Sequence, residues 1–306
     1  MPIIDLHADT ASKIYRYKHK LAKNTCHIDI EKLEKGNYLA QWFAICIDTH
    51  GDQNSYMDDA YKIYTYFLDE IDHNNTKIQL ATSYKDYERI KENKKTAAFL
   101  SIEEGQIIGD DLSNIDALYN WGVRMMTLTW NYENKLGYPH SINKGLTAFG
   151  KEVVNYLEKK SIFLDVSHLS EAGVRDITSI YKKPIIASHC NARNLHNHTR
   201  NLSDDVILLI AKSGGIIGVN FYSYLLNGSH ESSIEDILSQ IDYLYRIGGR
   251  DIVALGTDFD GIDCNLEVCN AAEMDKLIFR LSKTYGEDLA EHISYRNFEK
   301  LMKKCL

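Results

Sequence analysis

Proline is almost missing from this sequence, with 3 in 306 residues, and there is no glycine/serine-rich linker, low-complexity tract or internal repeat. Nothing marks a domain boundary, so the expectation is one domain over residues 1–306, a size that α/β barrels reach as single units. The 6 cysteines (Cys26, Cys46, Cys190, Cys264, Cys269 and Cys305) contain no Cys-x-x-Cys pair. That argues against a zinc ribbon, a dithiol redox motif and a disulfide framework. No stretch approaches the roughly 20 apolar residues that cross a bilayer. The opening Met1-Pro-Ile-Ile-Asp-Leu-His has none of the parts of a signal peptide, and Met302-Lys-Lys-Cys-Leu is not a lipid-anchor tail. These absences predict a cytoplasmic protein with no membrane partner. Basic runs are short, the formal net charge is -8 and the pI is near 5.8, which makes nucleic acid a poor partner. No Gly-x-Ser-x-Gly elbow is present. Gly214-Gly-Ile-Ile-Gly does not follow a strand and open a helix, so it reads as a strand entrance and not as a dinucleotide fingerprint.

What the chain does have is eight short apolar runs: Ile3 to Ala8, Trp42 to Ile47, Thr96 to Ile102, Val123 to Thr129, Ile162 to Val166, Pro184 to Ala187, Gly215 to Phe221 and Ile252 to Gly256. Each is strand-length and rich in branched residues. Between them lie polar stretches with helical periodicity, among them Asp58 to Asp72, Gly150 to Lys160, Ser170 to Tyr181, Ser203 to Ser213 and Ile234 to Ile247. Ser170-Glu171 and Ser203-Asp204-Asp205 have the oxygen-bearing and acidic residues that suit helix starts. Continuous apolar strands alternating with helices predict a parallel (β/α)8 TIM barrel, whose strands are buried on both faces. A doubly wound open sheet is the structural alternative.

A barrel presents its chemistry at the C-terminal ends of its strands, and that is where the ligand-type residues fall. His7 and Asp9 close the first run, Glu103 the third, His168 the fifth, His189 the sixth and Asp258 the eighth. Residues two apart in a strand point the same way, so His7 and Asp9 pair at the barrel mouth. Taken alone, each is more simply a polar strand end or a hydrogen-bonded core histidine; the convergence of three imidazoles changes that. His168 and His189 on adjacent strands can form a second metal site, and the two oxygens of Glu103 can bridge both. Its neighbour Glu104 is expected to be an exposed strand-end acid. Mixed nitrogen and carboxylate ligands suit zinc first, with manganese, cobalt or iron also acceptable. Two ions so held would activate a shared water near neutral pH. Asp258, in Leu255-Gly-Thr-Asp-Phe-Asp-Gly, could take that proton and pass it to a leaving amine; Asp260 is its rival. Cys190 should point away from His189 across the strand, which disfavours a cysteine nucleophile.

These segments together resemble the renal (membrane) dipeptidase family of the amidohydrolase superfamily along nearly the whole chain. The resemblance is carried by Ile4-Asp-Leu-His-Ala-Asp-Thr, Ser101-Ile-Glu-Glu-Gly, Arg124-Met-Met-Thr-Leu-Thr, Asp165-Val-Ser-His, Ala187-Ser-His, Arg200-Asn-Leu-Ser-Asp-Asp, Val219-Asn-Phe-Tyr and Gly256-Thr-Asp-Phe-Asp-Gly. It implies that His7 and Asp9 hold one zinc, Glu103 bridges, and His168 and His189 hold the other. Asp258 matches the proton-transfer aspartate, and Arg200 the arginine that grips the C-terminal carboxylate of the substrate, a task for a bidentate guanidinium. By itself Arg200 would read as a solvated loop charge. One departure stands out: the animal enzymes have an oxyanion-stabilising histidine where this chain has Trp130, followed by Asn131. An indole donates one hydrogen bond and carries no charge, so Trp130 or Asn131 supplies that donor, or the oxyanion rests on metal.

The expected activity is hydrolysis of Xaa-Xaa dipeptides, including those with a C-terminal D-residue, by two Zn2+ ions with Mn2+ or Co2+ as substitutes. The alternatives are a metal-dependent nuclease resembling TatD-type enzymes, against which the acidic pI and Arg200 count, and a binding protein that keeps the barrel without catalysis. Nothing in the sequence specifies an oligomer.

Overall fold

The computed structural model describes residues 1–47 and 56–306. Each of the eight apolar runs holds a strand: β1 (Ile3–Ala8), β2 (Tyr38–Cys46), β3 (Thr96–Glu103), β4 (Val123–Thr127), β5 (Phe163–Asp165), β6 (Ile186–Ala187), β7 (Ile216–Val219) and β8 (Val253–Leu255). All neighbours pair in parallel, and β1 pairs with both β2 and β8, so the sheet closes on itself into a (β/α)8 barrel. A ninth strand, Ile78–Leu80, was not expected. It pairs with Thr96 to Ala98 at the start of β3, while β4 pairs with Leu100 to Ile102 further along. Since β2 occupies the other edge of β3 throughout, the short strand and β4 share one edge.

The periodic stretches form the helices Tyr56–His73, Ala148–Lys160, Glu171–Ile180, Asp204–Lys212 and Ile234–Gly248. The Ser170 hydroxyl caps its helix by accepting from the Gly173 amide at 3.0 Å. Ser203 stands at the expected start but makes no such bond, and there Asp204 and Asp205 in the first turn meet the positive helix end.

Two apolar cores follow from the period-two phase of the strands. Ile4, Leu6, Trp42, Phe99, Met125 and Phe163 fill the barrel interior, closed below by Phe298, Leu301 and Met302 of the helix Asn297–Cys305. Trp42 stacks on Phe99 at 4.7 Å and meets Phe298 edge-on at 5.7 Å. The alternate residues, such as Phe43, Leu100, Ile102 and Met126, pack outward against the helices. In β3 the inward phase runs Ala97, Phe99, Ser101, Glu103, which carries the last carboxylate to the mouth. In β1 the phase breaks. Ile4 and Leu6 face inward, yet Ala8 belongs to the outer core, and the pairing with β2 shifts register between Asp5 and Ala8. A bulge of this kind re-aims a side chain, and here it brings His7 to the barrel mouth.

Candidate active site

His7 is 1% exposed and faces three carboxylates: its Nε2 lies 3.5 Å from Asp9 Oδ2, 3.4 Å from Glu103 Oε2 and 3.9 Å from Asp258 Oδ1. The other Glu103 oxygen, Oε1, lies 3.0 Å from His168 Nε2 and 3.5 Å from His189 Nε2. The His7 and His189 rings stack at 3.8 Å. Among the described residues, three overlapping groups could each hold a cation, namely His7/Asp9/Glu103, Glu103/His168/His189 and His7/His189/Asp258, with candidate ligand atoms within 4.8 Å of one another. All five residues expected as ligands are therefore brought together, and Asp258 with them.

They do not all arrive as the strand pattern predicts. β1 ends at Ala8, and Asp9 is the residue preceding the helix Thr10–Tyr17, with φ -86° and ψ 11°. The pair His7 and Asp9 is thus built by the bulge and the helix start, not by two positions on one strand face. His168 and Asp258 each follow their strand by three residues and sit in left-handed backbone, φ 66° and 61°. Such conformations are uncommon outside glycine, Asn and Asp, and cluster at functional sites.

The hydrogen bonds behind the cluster decide which ring nitrogens are free. His168 Nδ1 lies 2.9 Å from Asn131 Oδ1, an acceptor, so the proton sits on Nδ1 and the Nε2 lone pair faces inward. His189 Nδ1 is 2.7 Å from Ser188 Oγ, which itself donates to Asp165 Oδ2 at 2.5 Å. The Asp165 carboxylate also accepts from Thr127 Oγ1 and from the amides of Ser167 and Ser188. With its hydroxyl proton committed to Asp165, Ser188 accepts from His189 Nδ1–H, and His189 Nε2 too presents a lone pair. The two Nε2 atoms lie 3.0 Å apart, and His7 Nε2 is buried without a hydrogen-bond partner. Lone pairs and carboxylates converging in a buried space are the donor set of a divalent cation site.

Within the cluster, charge competes with burial. Burial pulls His7 toward neutrality, but Glu103 and Asp9 overrule it and hold its pKa well above the usual value. Burial and the positive neighbours His7 and Arg200 keep His189 well below it. Burial opposes ionisation of Glu103, yet His7, His168 and His189 hold its pKa well below normal. Asp258 is pushed up to about 7 by burial, with Asp9 and Glu103 adding and His7 opposing.

The cluster opens into a cavity of about 760 Å³, within the range of small-molecule sites, whose lining includes Trp130, His140, His198, Arg200 and Tyr222. Arg200 is not a solvated loop charge: it is 5% exposed. Its Nη1 donates to Cys190 Sγ at 2.9 Å and its Nη2 to the His189 carbonyl at 3.0 Å. Of the five guanidinium N–H groups, two are engaged, and the buried Nε has no partner. Cys190 is occupied with Arg200 and with Ser167 at 3.5 Å, outside the ligand cluster as expected. Trp130 lines the cavity with its ring 6.4 Å from that of His168, while the Asn131 amide oxygen orients His168.

Glu104 corrects an expectation. It is fully buried rather than exposed, with φ 92°. Its carboxylate accepts from the amides of Gln106 and Trp130 and from Asn134 Nδ2 at 2.5 Å, which organises the loop bearing Trp130 and Asn131. The left-handed backbone that turns Glu104 inward has no signature in Glu-Glu-Gly. Sequence reasoning also assigned no role to Asn220, which donates to Asp258 Oδ2 at 2.9 Å, or to the Asp165–Ser188 pair. All three sit inside segments that carried the family resemblance. Asp260, the rival acid, has a fully buried carboxylate bonded to Thr10, His27 and Lys13.

A model of the membrane dipeptidase family, peptidase family M19, matches residues 1–305. The chain belongs to this family. An uncharacterized Klebsiella pneumoniae protein from the pqqA 5' region is 33% identical over 246 residues, covering 76% of this chain and 91% of the relative. An uncharacterized dipeptidase of Schizosaccharomyces pombe is 29% identical over 256 residues, 78% of this chain and 62% of the yeast protein. Among solved structures, a metallo peptidase from Rhodobacter sphaeroides liganded with a phosphinate mimic of the dipeptide L-Ala-D-Ala superposes with a TM-score of 0.93. It shares 22% identity, over 100% of this chain and 99% of that one. A second, dipeptidase AC of family M19, gives 0.94 at 22% identity over 100% and 98%. As an M19 metallo-dipeptidase, the protein has the hydrolase chemistry to which clustered imidazoles and carboxylates are suited. The nuclease alternative finds no support.

Among the described residues no helix is long and apolar enough to cross a membrane.

Proposed function

We propose that this M19 enzyme hydrolyses dipeptides, including those with a C-terminal D-residue, using two zinc ions held by its barrel mouth, with manganese or cobalt as working substitutes. The observation that carries the proposal is the convergence of three inward-facing imidazole nitrogens on both oxygens of Glu103. His7 and Asp9 would hold one ion and His168 and His189 the other, with Glu103 shared between the two sets. Bound there, the ions supply Lewis acidity and make water nucleophilic near neutral pH.

The chain's own residues do the rest. Asp258 takes the proton from the attacking water and delivers it to the leaving amine, a role suited to a buried carboxyl whose pKa is raised to about 7. Asn220, bonded to Oδ2, orients it and leaves Oδ1 toward the cluster. Arg200 receives the free C-terminal carboxylate on its remaining N–H groups, which restricts cleavage to dipeptides. Trp130 walls the cavity beside His168 and Asn131 is engaged by His168, so polarising the substrate carbonyl would fall mainly to the bound cations. The L-Ala-D-Ala mimic in the Rhodobacter sphaeroides relative supports acceptance of a D-residue. We place the enzyme in the cytoplasm, acting on small peptides and not on nucleic acid. The test is elemental analysis with a panel of L,L and L,D dipeptides, their C-terminal amides and single-stranded DNA. Two ions and cleavage confined to free-acid dipeptides are expected; a single ion, or equal cleavage of the amides, would sink the reading.

A further inference from the structure

Asp258 sits in a turn braced both from within and from outside. Its φ is 61° and that of Asp260 is 72°, a left-handed backbone that aspartate tolerates better than most residues, and within the turn the Gly261 amide donates to the Asp258 carbonyl at 3.1 Å. From outside, backbone bonds tie it to the end of β1, with the Asp258 amide donating to the His7 carbonyl at 3.2 Å and the Asp9 amide to the Phe259 carbonyl at 2.9 Å, and Asp260 adds side-chain bonds to the next helix. The Asp260 carboxylate, with no exposed surface, accepts from Thr10 Oγ1 at 2.6 Å and the His27 amide at 2.7 Å, and pairs with Lys13 Nζ at 3.4 Å. Its own amide donates to His27 Nδ1 at 2.9 Å, and Lys13 Nζ also donates to its carbonyl at 3.3 Å. Thr10 and Lys13 belong to the helix that starts directly after Asp9.

We propose that Asp260 is a positioning residue: one buried carboxylate ties the strand-end turn carrying Asp258 to the helix behind Asp9, and so, together with the backbone bonds to His7 and Asp9, fixes the distance between the proton carrier and the His7/Asp9 pair. The inference rests on the reading of Asp258 as proton carrier. A carboxylate already bound by two donors and a cation is committed to that contact, which also removes it as a rival acid. Displacing a reacting group by about 1 Å lowers rate by about 100-fold even when binding is intact, so the signature of this role is a loss in kcat with KM and metal content preserved.

The experiment compares Asp260→Ala, Asp260→Asn, Thr10→Val and Thr10→Ser with Asp258→Asn, as zinc-loaded full-length proteins acting on Ala-Ala. Asp260→Ala is expected to lose about 100-fold in kcat with KM within about 3-fold and wild-type metal content. Asn keeps one acceptor, and the Thr10 hydroxyl can turn to accept from its amide, so Asp260→Asn should fall between Ala and wild type. Thr10→Val should lose about 10-fold, and Thr10→Ser should recover most of that. If Asp260→Ala does not fold, the Thr10 pair carries the same test. Wild-type kcat in Asp260→Ala or Thr10→Val, with Asp258→Asn inactive, overturns the positioning role alone. Parallel losses of kcat, KM and metal would reduce Asp260 to a general stabiliser. An active Asp258→Asn overturns the reading of Asp258 and this inference with it.

Discussion

The Nε2 atoms of His168 and His189 face each other at 3.0 Å with both ring protons turned outward, to Asn131 and Ser188. Two lone pairs so close repel unless a cation lies between them and the Glu103 carboxylate. Purified protein should therefore carry close to two ions, and chelation should abolish activity reversibly. Because the ions bind the folded state, their removal should also lower the melting temperature by at least about 5 °C. Elemental analysis and a thermal scan with and without chelator check this; activity indifferent to chelators would contradict it.

The outward partners set the ring tautomers, so removing them should weaken metal binding without touching a ligand. Ser188→Ala and Asn131→Ala are each expected to lose about 10- to 100-fold in metal affinity, read by competition with a chromophoric chelator. Unchanged affinity in both would mean that the tautomers are set otherwise.

Asp258→Asn keeps the shape of the side chain but cannot accept a proton. Turnover should fall by about 100- to 10,000-fold with both ions retained, measured by Ala-Ala hydrolysis beside metal content. Near-normal turnover would point to a mechanism run by the ions alone.

A charge-assisted contact to Arg200 is worth roughly 1.5 to 3 kcal/mol, about one to two powers of ten in binding. Arg200→Ala should raise KM by that factor, Arg200→Lys should be intermediate, and C-terminally amidated dipeptides should be poor substrates for the wild type. Because Arg200 also bonds Cys190 and the His189 carbonyl, metal content has to be checked in each variant. Equal cleavage of acid and amide would remove Arg200 from substrate recognition.

Gly261 gives a steric test. A Cβ there would lie 2.2 Å from Asp9 Oδ2 and 2.6 Å from Asp258 Oδ1. Gly261→Ala should thus displace both carboxylates and depress kcat and metal affinity together, unlike Asp258→Asn. An alanine variant with wild-type kinetics would show that both carboxylates yield freely.

The barrel was legible because strands buried on both faces need uninterrupted apolar runs, and all eight runs hold strands. Ile78–Leu80 was not, since three residues with a central glutamine carry no periodic signal. The clustering of the metal-type residues was legible from their place after apolar runs, and the role proposed for Arg200 was suggested only by the family resemblance. What failed to show was backbone handedness and register. The bulge in β1 and the positive φ at Glu104, His168 and Asp258 decide where side chains point, and composition does not encode them. The Asp165–Ser188–His189 chain was equally silent, because Asp165 lies 23 residues before the Ser188 whose hydroxyl it accepts from.

The closure of β1 against β8 spans nearly the whole chain, with the Asp5 carboxylate bonded to the Thr257 amide and hydroxyl at 2.9 and 2.7 Å. On the ribosome, His7 and Asp9 emerge first and wait for some 250 residues before Thr257 and Asp258 reach them. His7, Asp9 and Asp258 can therefore come together only after β8 has been made, and the pairing that joins them is of the non-local kind whose loop-closure entropy is met before its contacts form.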